Sequence, residues 1–209
     1  MICQTKQKFK AAYTNNNWLD GSKGNSIKVG YIWLRGQMET VRWHHWVWNS
    51  LNIPKHSFIS WLTILGKLRT RERLGMVGIC SDTSCLLCTS GNDSCSHLFF
   101  QCEFSHQVCQ GVMGWFHIHS NSRENLYVHW RKWGWKFKTK YQQQVAYASL
   151  AAVVYHIWRA RNNALWNQIV LRPDLVIKQI QVDVCIRMKA KLSNRWSERD
   201  KTWAASLMV

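Results

Sequence analysis

Six of the chain's eight cysteines lie between Cys80 and Cys109, and four residues within that block follow the spacing Cys85-x2-Cys88-x8-His97-x4-Cys102. Zinc takes four soft or borderline donors at the corners of a tetrahedron. Two thiolates two residues apart can face one ion across a turn, and a short helical segment can present the second pair. Such a set forces the chain to close around the ion, so it constrains this stretch more than any local propensity. His97 and Cys102 are five positions apart, a rotation of about 140° on a continuous α-helix. The helix carrying His97 is therefore expected to end or tighten just before Cys102. Three thiolates and one neutral imidazole leave no open position, which makes Zn²⁺ a structural cofactor here and not a catalytic one. Cys80, Cys95 and His106 are near enough in sequence to replace any one ligand. A redox use of Cys85 and Cys88 is disfavoured, because a redox Cys-x-x-Cys belongs at the end of a strand in a βαβ pattern, and helical patterns flank this one.

The rest of the chain shows helical periodicity and no strong strand signal. Ile27, Gly30, Tyr31 and Leu34 recur at helical spacing, as do Trp43, Val47, Trp48 and Leu51 in a stretch beginning near Thr40. After Pro54, Phe58, Trp61, Leu62 and Leu65 predict a short buried helix over 57–65 ending at Gly66. Thr70 is placed to cap another, with Glu72 in its first turn and Gly78 near its end. A long helix is expected from about Gln142 to Asn167, and a last one opened by Pro173 and Asp174, with Ile177, Ile180, Val184 and Met188 on its face. The fold class is therefore mostly α: short helices around a zinc-knuckle-like site, followed by two longer C-terminal helices. The divisions read as a polar tail or linker over 1–25, a zinc-binding domain over 26–118, a basic-aromatic connector over 119–140 and a helical region over 141–209.

The chain has 28 Lys plus Arg against 11 Asp plus Glu in 209 residues, a formal net charge of +17. That excess points to a polyanionic partner, most simply nucleic acid. Eight cysteines are too sparse for a disulfide scaffold, and the first thirty residues lack the apolar run of a signal peptide, so reduced thiols and an intracellular, non-secreted setting are expected. Between Tyr141 and Trp158 there is no Asp, Glu, Lys or Arg. The mostly apolar part is shorter than the roughly 20 residues needed to cross a bilayer, which fits a buried helix and no membrane partner. The acidic residues are scattered, with no carboxylate cluster for two-metal phosphoryl transfer and no Tyr-x-Asp-Asp. No glycine-rich phosphate loop is present, and no Ser/His/Asp geometry follows from His44, His45 and His56.

Residues 129–140 interleave four aromatic rings with five cations. Cations neutralise phosphate and flat rings stack on unpaired bases, so Arg131, Lys132, Trp133, Trp135, Lys136, Lys138 and Lys140 are candidate contacts to RNA or single-stranded DNA. Alternating apolar and charged positions also describe a half-buried segment whose cations are merely solvated. Lys67, Arg69, Arg71 and Arg73 form a second candidate patch at a helix start. Arg159 and Arg161 read as partners of the final helix or of solvent.

Several segments together resemble a known family: Trp48-Asn49-Ser50-Leu51-Asn52-Ile53-Pro54 running on to Phe58 and Trp61, Gly66-Lys67-Leu68-Arg69-Thr70 with Arg73 and Leu74, then Gly78-Ile79, Cys85-x2-Cys88 and His97-Leu98-Phe99-Phe100-Gln101-Cys102. Their order and spacing resemble the zinc-binding domain that follows reverse transcriptase in plant LINE-type (non-LTR) retrotransposons. Ser26-Ile27-Lys28-Val29-Gly30-Tyr31 looks like the entry of that domain, and Tyr155-His156-Ile157-Trp158-Arg159-Ala160-Arg161-Asn162 like the tail that often follows it. The resemblance covers about 26–118 and implies Cys85, Cys88, His97 and Cys102 as ligands. Cys109 stands where that family commonly has Trp, which favours a core role for it. The resemblance also implies a non-enzymatic C-terminal piece of a polyprotein without its polymerase, which would be supplied in cis or trans. The alternative from a different class is a zinc-stabilised protein-interaction module with a helical docking surface.

Overall fold

The computed structural model describes residues 41, 43–118, 136–191 and 196–208. The tail over 1–25, the helical pattern over 27–34, and Arg131, Lys132, Trp133 and Trp135 lie outside these residues. The chain divides into two units, Met1–Arg42 and Trp43–Val209, and the architecture below is that of the second.

Eight helices run through the described residues: α1 (His44–Val47), α2 (Pro54–Ile64), α3 (Arg71–Met76), α4 (Cys95–Phe100), α5 (Glu103–Trp115), α6 (Lys140–Asn167), α7 (Pro173–Lys191) and α8 (Glu198–Ser206). Among the same residues the β pairing is one isolated antiparallel bridge, Ser84 to Asn92. The fold is thus mostly helical, with short helices around the cysteine block and two long ones after it. No described helix is long and apolar enough to cross a membrane.

The hub is α6, against which α1, α2, α4, α5 and α7 all pack. Its charge-free stretch is apolar nearly all round, the pattern of a helix buried within protein. Val145, Leu150, Val153, Val154 and Ile157 are buried, and small Ala146, Ala148, Ser149, Ala151 and Ala152 between them let neighbouring helices come close. Each fully buried Val, Leu or Ile is worth about 1.5–3 kcal/mol of transfer free energy. Thr139 caps the start by accepting from the Gln142 N–H at 3.2 Å, and its hydroxyl donates to Asp200 Oδ1 at 2.6 Å. Ser197, the N-cap of α8, donates to the same buried carboxylate. One Asp200 side chain thereby joins the N-terminal caps of α6 and α8.

Two other helix ends are set by glycine. At the end of α2, Gly66 (φ +60) donates its N–H to Thr63 O while Lys67 N–H reaches Leu62 O. At the end of α3, Gly78 (φ +73) donates to Gly75 O while Ile79 N–H reaches Leu74 O. Both are Schellman stops, in which a left-handed residue after the helix lets two backbone N–H groups fold back onto its last carbonyls.

The structure corrects several expectations. In the stretch from Thr40 the described residues hold one helical turn, α1, because the Asn52 amide donates to Trp46 O and Val47 O and takes the carbonyls that a longer helix would use. Val47 and Leu51 are buried as expected, but Trp48 is 56% exposed. α2 begins at Pro54, three residues early, since proline suits a first helical position. Its buried face is polar: His56, Ser57 and Ser60 face inward, while Phe58 is 51% exposed and Trp61 and Leu62 are half-buried. Small serines allow close approach to α6, and that closeness outweighs the apolar pattern. The helix α5 is not expected from the sequence, because Gly111 and Gly114 interrupt its pattern. Gly111 lies against the Ile177 side chain of α7, leaving no room for a Cβ unless Ile177 shifts. The α8 helix is likewise not evident as a separate element from the sequence.

Candidate metal centre

Residues 83–93 close into a tight loop. Asp93 N–H donates to Thr83 O at 2.7 Å and Cys85 N–H to Gly91 O at 2.9 Å, on either side of the Ser84–Asn92 bridge. Inside the loop Thr89 N–H reaches back to Cys85 O, which turns the chain so that Cys85 and Cys88 share one side. Gly91 (φ +91) completes the reversal, and a Cβ there would lie 2.9 Å from Nδ1 of His97. The glycine therefore serves both the turn and the seating of the imidazole. Gly91→Ala is expected to weaken zinc binding by roughly 1–3 kcal/mol, about 5- to 150-fold, through backbone strain and displacement of His97. A chelator competition measures this, and unchanged affinity would refute the seating role.

The second half-site is carried by α4. Ser94 is its N-cap and accepts from the His97 N–H at 3.0 Å, fixing His97 in the first turn. The helix stops at Gln101. Gln101 N–H and Cys102 N–H both converge on His97 O, at 2.9 and 2.8 Å, and Cys102 is extended (φ −70, ψ 126) as the N-cap of α5. The last turn thus widens where tightening was one of the two expectations. The break between α4 and α5 returns Cys102 to the side of His97.

The donor atoms of Cys85, Cys88, His97 and Cys102 all lie within 4.8 Å of one another. The sulfurs of Cys85 and Cys102 are 4.0 Å apart, and Cys88 Sγ is 3.2 Å from His97 Nε2. For Zn–S bonds of about 2.3 Å, tetrahedral geometry puts sulfurs about 3.8 Å apart, so this donor set fits Zn²⁺ with small adjustments. The hydrogen bond from the Cys102 thiol pulls Cys85 down to about 5, helped by the Leu87 and Cys88 backbone N–H groups, while the same partnership and burial push Cys102 up. The direction of the shift favours the thiolate at Cys85, the form that ligates metal. The other nearby donors stay outside. Cys80 Sγ donates to Asp82 O, burial raises the Cys95 thiol, and neither these nor His106 belong to the cluster. Cys109, on α5 against the core, is pushed up to about 12 by burial, as a packing thiol would be.

Two residues outside the donor set anchor the loop. Asp93, fully buried, accepts through Oδ2 from the Arg71 backbone N–H at 2.9 Å and from Arg161 Nε at 2.8 Å, and Arg161 Nη2 contacts the same oxygen. Its backbone carbonyl also receives the Glu72 N–H. The start of α3 is therefore held by a carboxylate of this chain, which corrects the reading of that start as a phosphate site. Arg71 is itself buried, donates to Ser84 O and pairs with Asp82 at 2.8 Å. Arg161, 1% exposed, is a partner of the metal loop and not of the final helix or of solvent. Its guanidinium lies 5.0 Å from the Trp158 ring. The sequence carried a signal for this: Arg161 falls on the same helical stripe as Ile157 and Ala164, where a cation needs a buried counter-charge.

In the basic-aromatic stretch, Lys136, Lys138 and Lys140 are exposed while Phe137 is buried. Phe137 meets Phe116 and Trp203 edge-on, with ring centres 5.7 Å apart in both pairs. This end of the stretch is anchored by its ring and offers its cations to solvent.

The structure thus defines a mostly helical fold with a Cys3His cluster that could hold a metal ion. Residues 26–108 match the family described as zinc-binding in reverse transcriptase, a span that contains all four donors. No curated protein and no solved structure matches the chain significantly.

Proposed function

We propose that this chain is a zinc-stabilised, non-catalytic module that associates with RNA or single-stranded DNA, derived from the reverse transcriptase polyprotein of a plant LINE-type retrotransposon and acting beside a polymerase supplied in cis or trans. The observation that carries this is the convergence of Cys85, Cys88, His97 and Cys102 inside the stretch that matches the reverse transcriptase zinc-binding family. In this reading Zn²⁺ is held by those four side chains and supplies structure alone, since a closed donor set leaves no position for substrate. The excess of +17 and the exposed Lys136, Lys138 and Lys140 support a polyanionic partner.

The test is binding to unrelated single strands across a salt titration. Changing Lys136, Lys138 and Lys140 together to Gln is expected to weaken binding alike for all sequences and to make the salt slope shallower by about 0.7 per lost contact. Trp135→Ala is expected to cost roughly 1–3 kcal/mol of stacking with the slope nearly unchanged. Unaltered binding by the triple variant would overturn the nucleic-acid reading. A second reading, a protein-interaction module, is favoured by the exposed Val182 and Ile186 on α7 and Trp166, Ile169 and Val170 at and beyond the end of α6. Self-association lost on replacing Val182 and Ile186 by Lys would support it.

A further inference from the structure

Away from the cysteines, α2, α6 and α7 bring three more metal-type donors to one point. His56 on α2 and His156 on α6 both direct Nε2 at the same atom, Oδ2 of Asp183 on α7, at 3.3 and 2.9 Å. The three donor atoms lie within 4.8 Å of one another, and the imidazoles are 2% and 3% exposed.

Hydrogen bonding accounts for only half of this arrangement. The His156–Asp183 contact is a hydrogen bond, whereas His56 Nε2 is close to the carboxylate but not aligned with it, and is left buried without a hydrogen-bond partner. Buried polar atoms in folded proteins are nearly always satisfied, and an exception calls for a missing partner. A divalent cation would satisfy both imidazoles at once. With bonds of about 2.0–2.1 Å, tetrahedral donors stand about 3.3 Å apart, close to the two separations seen.

The surroundings suit such an ion. Burial lowers His56 to about 4, helped by His156 and Lys55 and opposed by Asp183, and burial lowers His156 as well, so both rings are neutral near pH 7. Neutral imidazole is the ligating form. The His56 ring is stacked on Tyr155 with centres 4.5 Å apart, which fixes its plane. A small cleft between Leu51, Ile53 and Arg187 reaches His56 and Asp183 from outside.

We propose that His56, His156 and Asp183 form a second divalent-metal site, suited to Zn²⁺ by its imidazole and carboxylate donors, with the remaining position open to water or another small donor from the cleft. This site is separate from the cysteine centre and does not depend on the function proposed above.

The experiment uses the full chain. Metal analysis after equilibration with Zn²⁺ and removal of excess is expected to give two zinc ions per chain, falling to one in Asp183→Asn and in His156→Gln with the helical circular dichroism unchanged. In a titration with Co²⁺, the sulfur-to-cobalt charge-transfer absorption is expected to saturate at one equivalent, and a second equivalent to add only d–d absorption. One equivalent in the unaltered chain, or two retained in both variants, would overturn the proposal. Because the cobalt titration of the unaltered chain reads each site by its own absorption, it decides the matter even if a variant misfolds.

Discussion

Cys88→Ala is expected to lose the bound zinc and unfold at least residues 80–110, detected as vanished metal, a lowered melting temperature and new proteolysis within that stretch. The loop over 83–93 is tied by a few backbone hydrogen bonds and reverses through Thr89 and Gly91, both at positive φ. Such a loop has little apolar burial with which to offset the entropy of ordering it. A structural zinc contributes about 10–16 kcal/mol of apparent binding free energy, comparable to the whole net stability of a domain of about 5–15 kcal/mol. Cys80→Ala, eight residues upstream and outside the cluster, serves as the control and should keep its zinc. If Cys88→Ala retains zinc and melts like the parent, the four-ligand assignment is wrong.

The second large effect concerns Arg161. Replacing it by Met leaves the Asp93 carboxylate at zero exposure without its counter-charge, and breaking a buried pair in this way costs about 3–5 kcal/mol. The loss should appear in denaturant unfolding as a lowered midpoint, and it should be little relieved by salt because the pair is shielded from solvent. The double change Asp93→Asn with Arg161→Met should recover part of the loss, since the uncompensated charge is gone and the new side-chain amide would retain an oxygen for the Arg71 N–H. A loss below about 1 kcal/mol in Arg161→Met would show that the pair does not anchor the loop.

The cysteine centre was legible because its requirement is local: four donors with set spacings leave few ways to close a loop, and the break before Cys102 followed from helix geometry alone. The long helices were legible for a similar reason, with Val184 and Met188 on one stripe and Pro173 at the start. The inward face of α2 was hidden, because Ser57 and Ser60 are buried for their small size and not for their chemistry. The same holds for α5, where Gly111 breaks the pattern yet permits contact with Ile177. The grouping of His56, His156 and Asp183 was out of reach for another reason. Its members lie on three helices and converge only through packing, so no spacing along the chain announces them.

The pairing of Asp93 with Arg161 also separates the extent of the family match from the extent of what folds together. The family match ends at residue 108, inside α5, whereas the counter-charge of the metal loop sits more than fifty residues later on α6. A segment excised at the bench along the limits of the match would carry all four donors of the cluster and yet abandon the cation that neutralises their loop. The smallest transplantable piece is set by electrostatic neutrality in the interior, and it runs at least through Arg161.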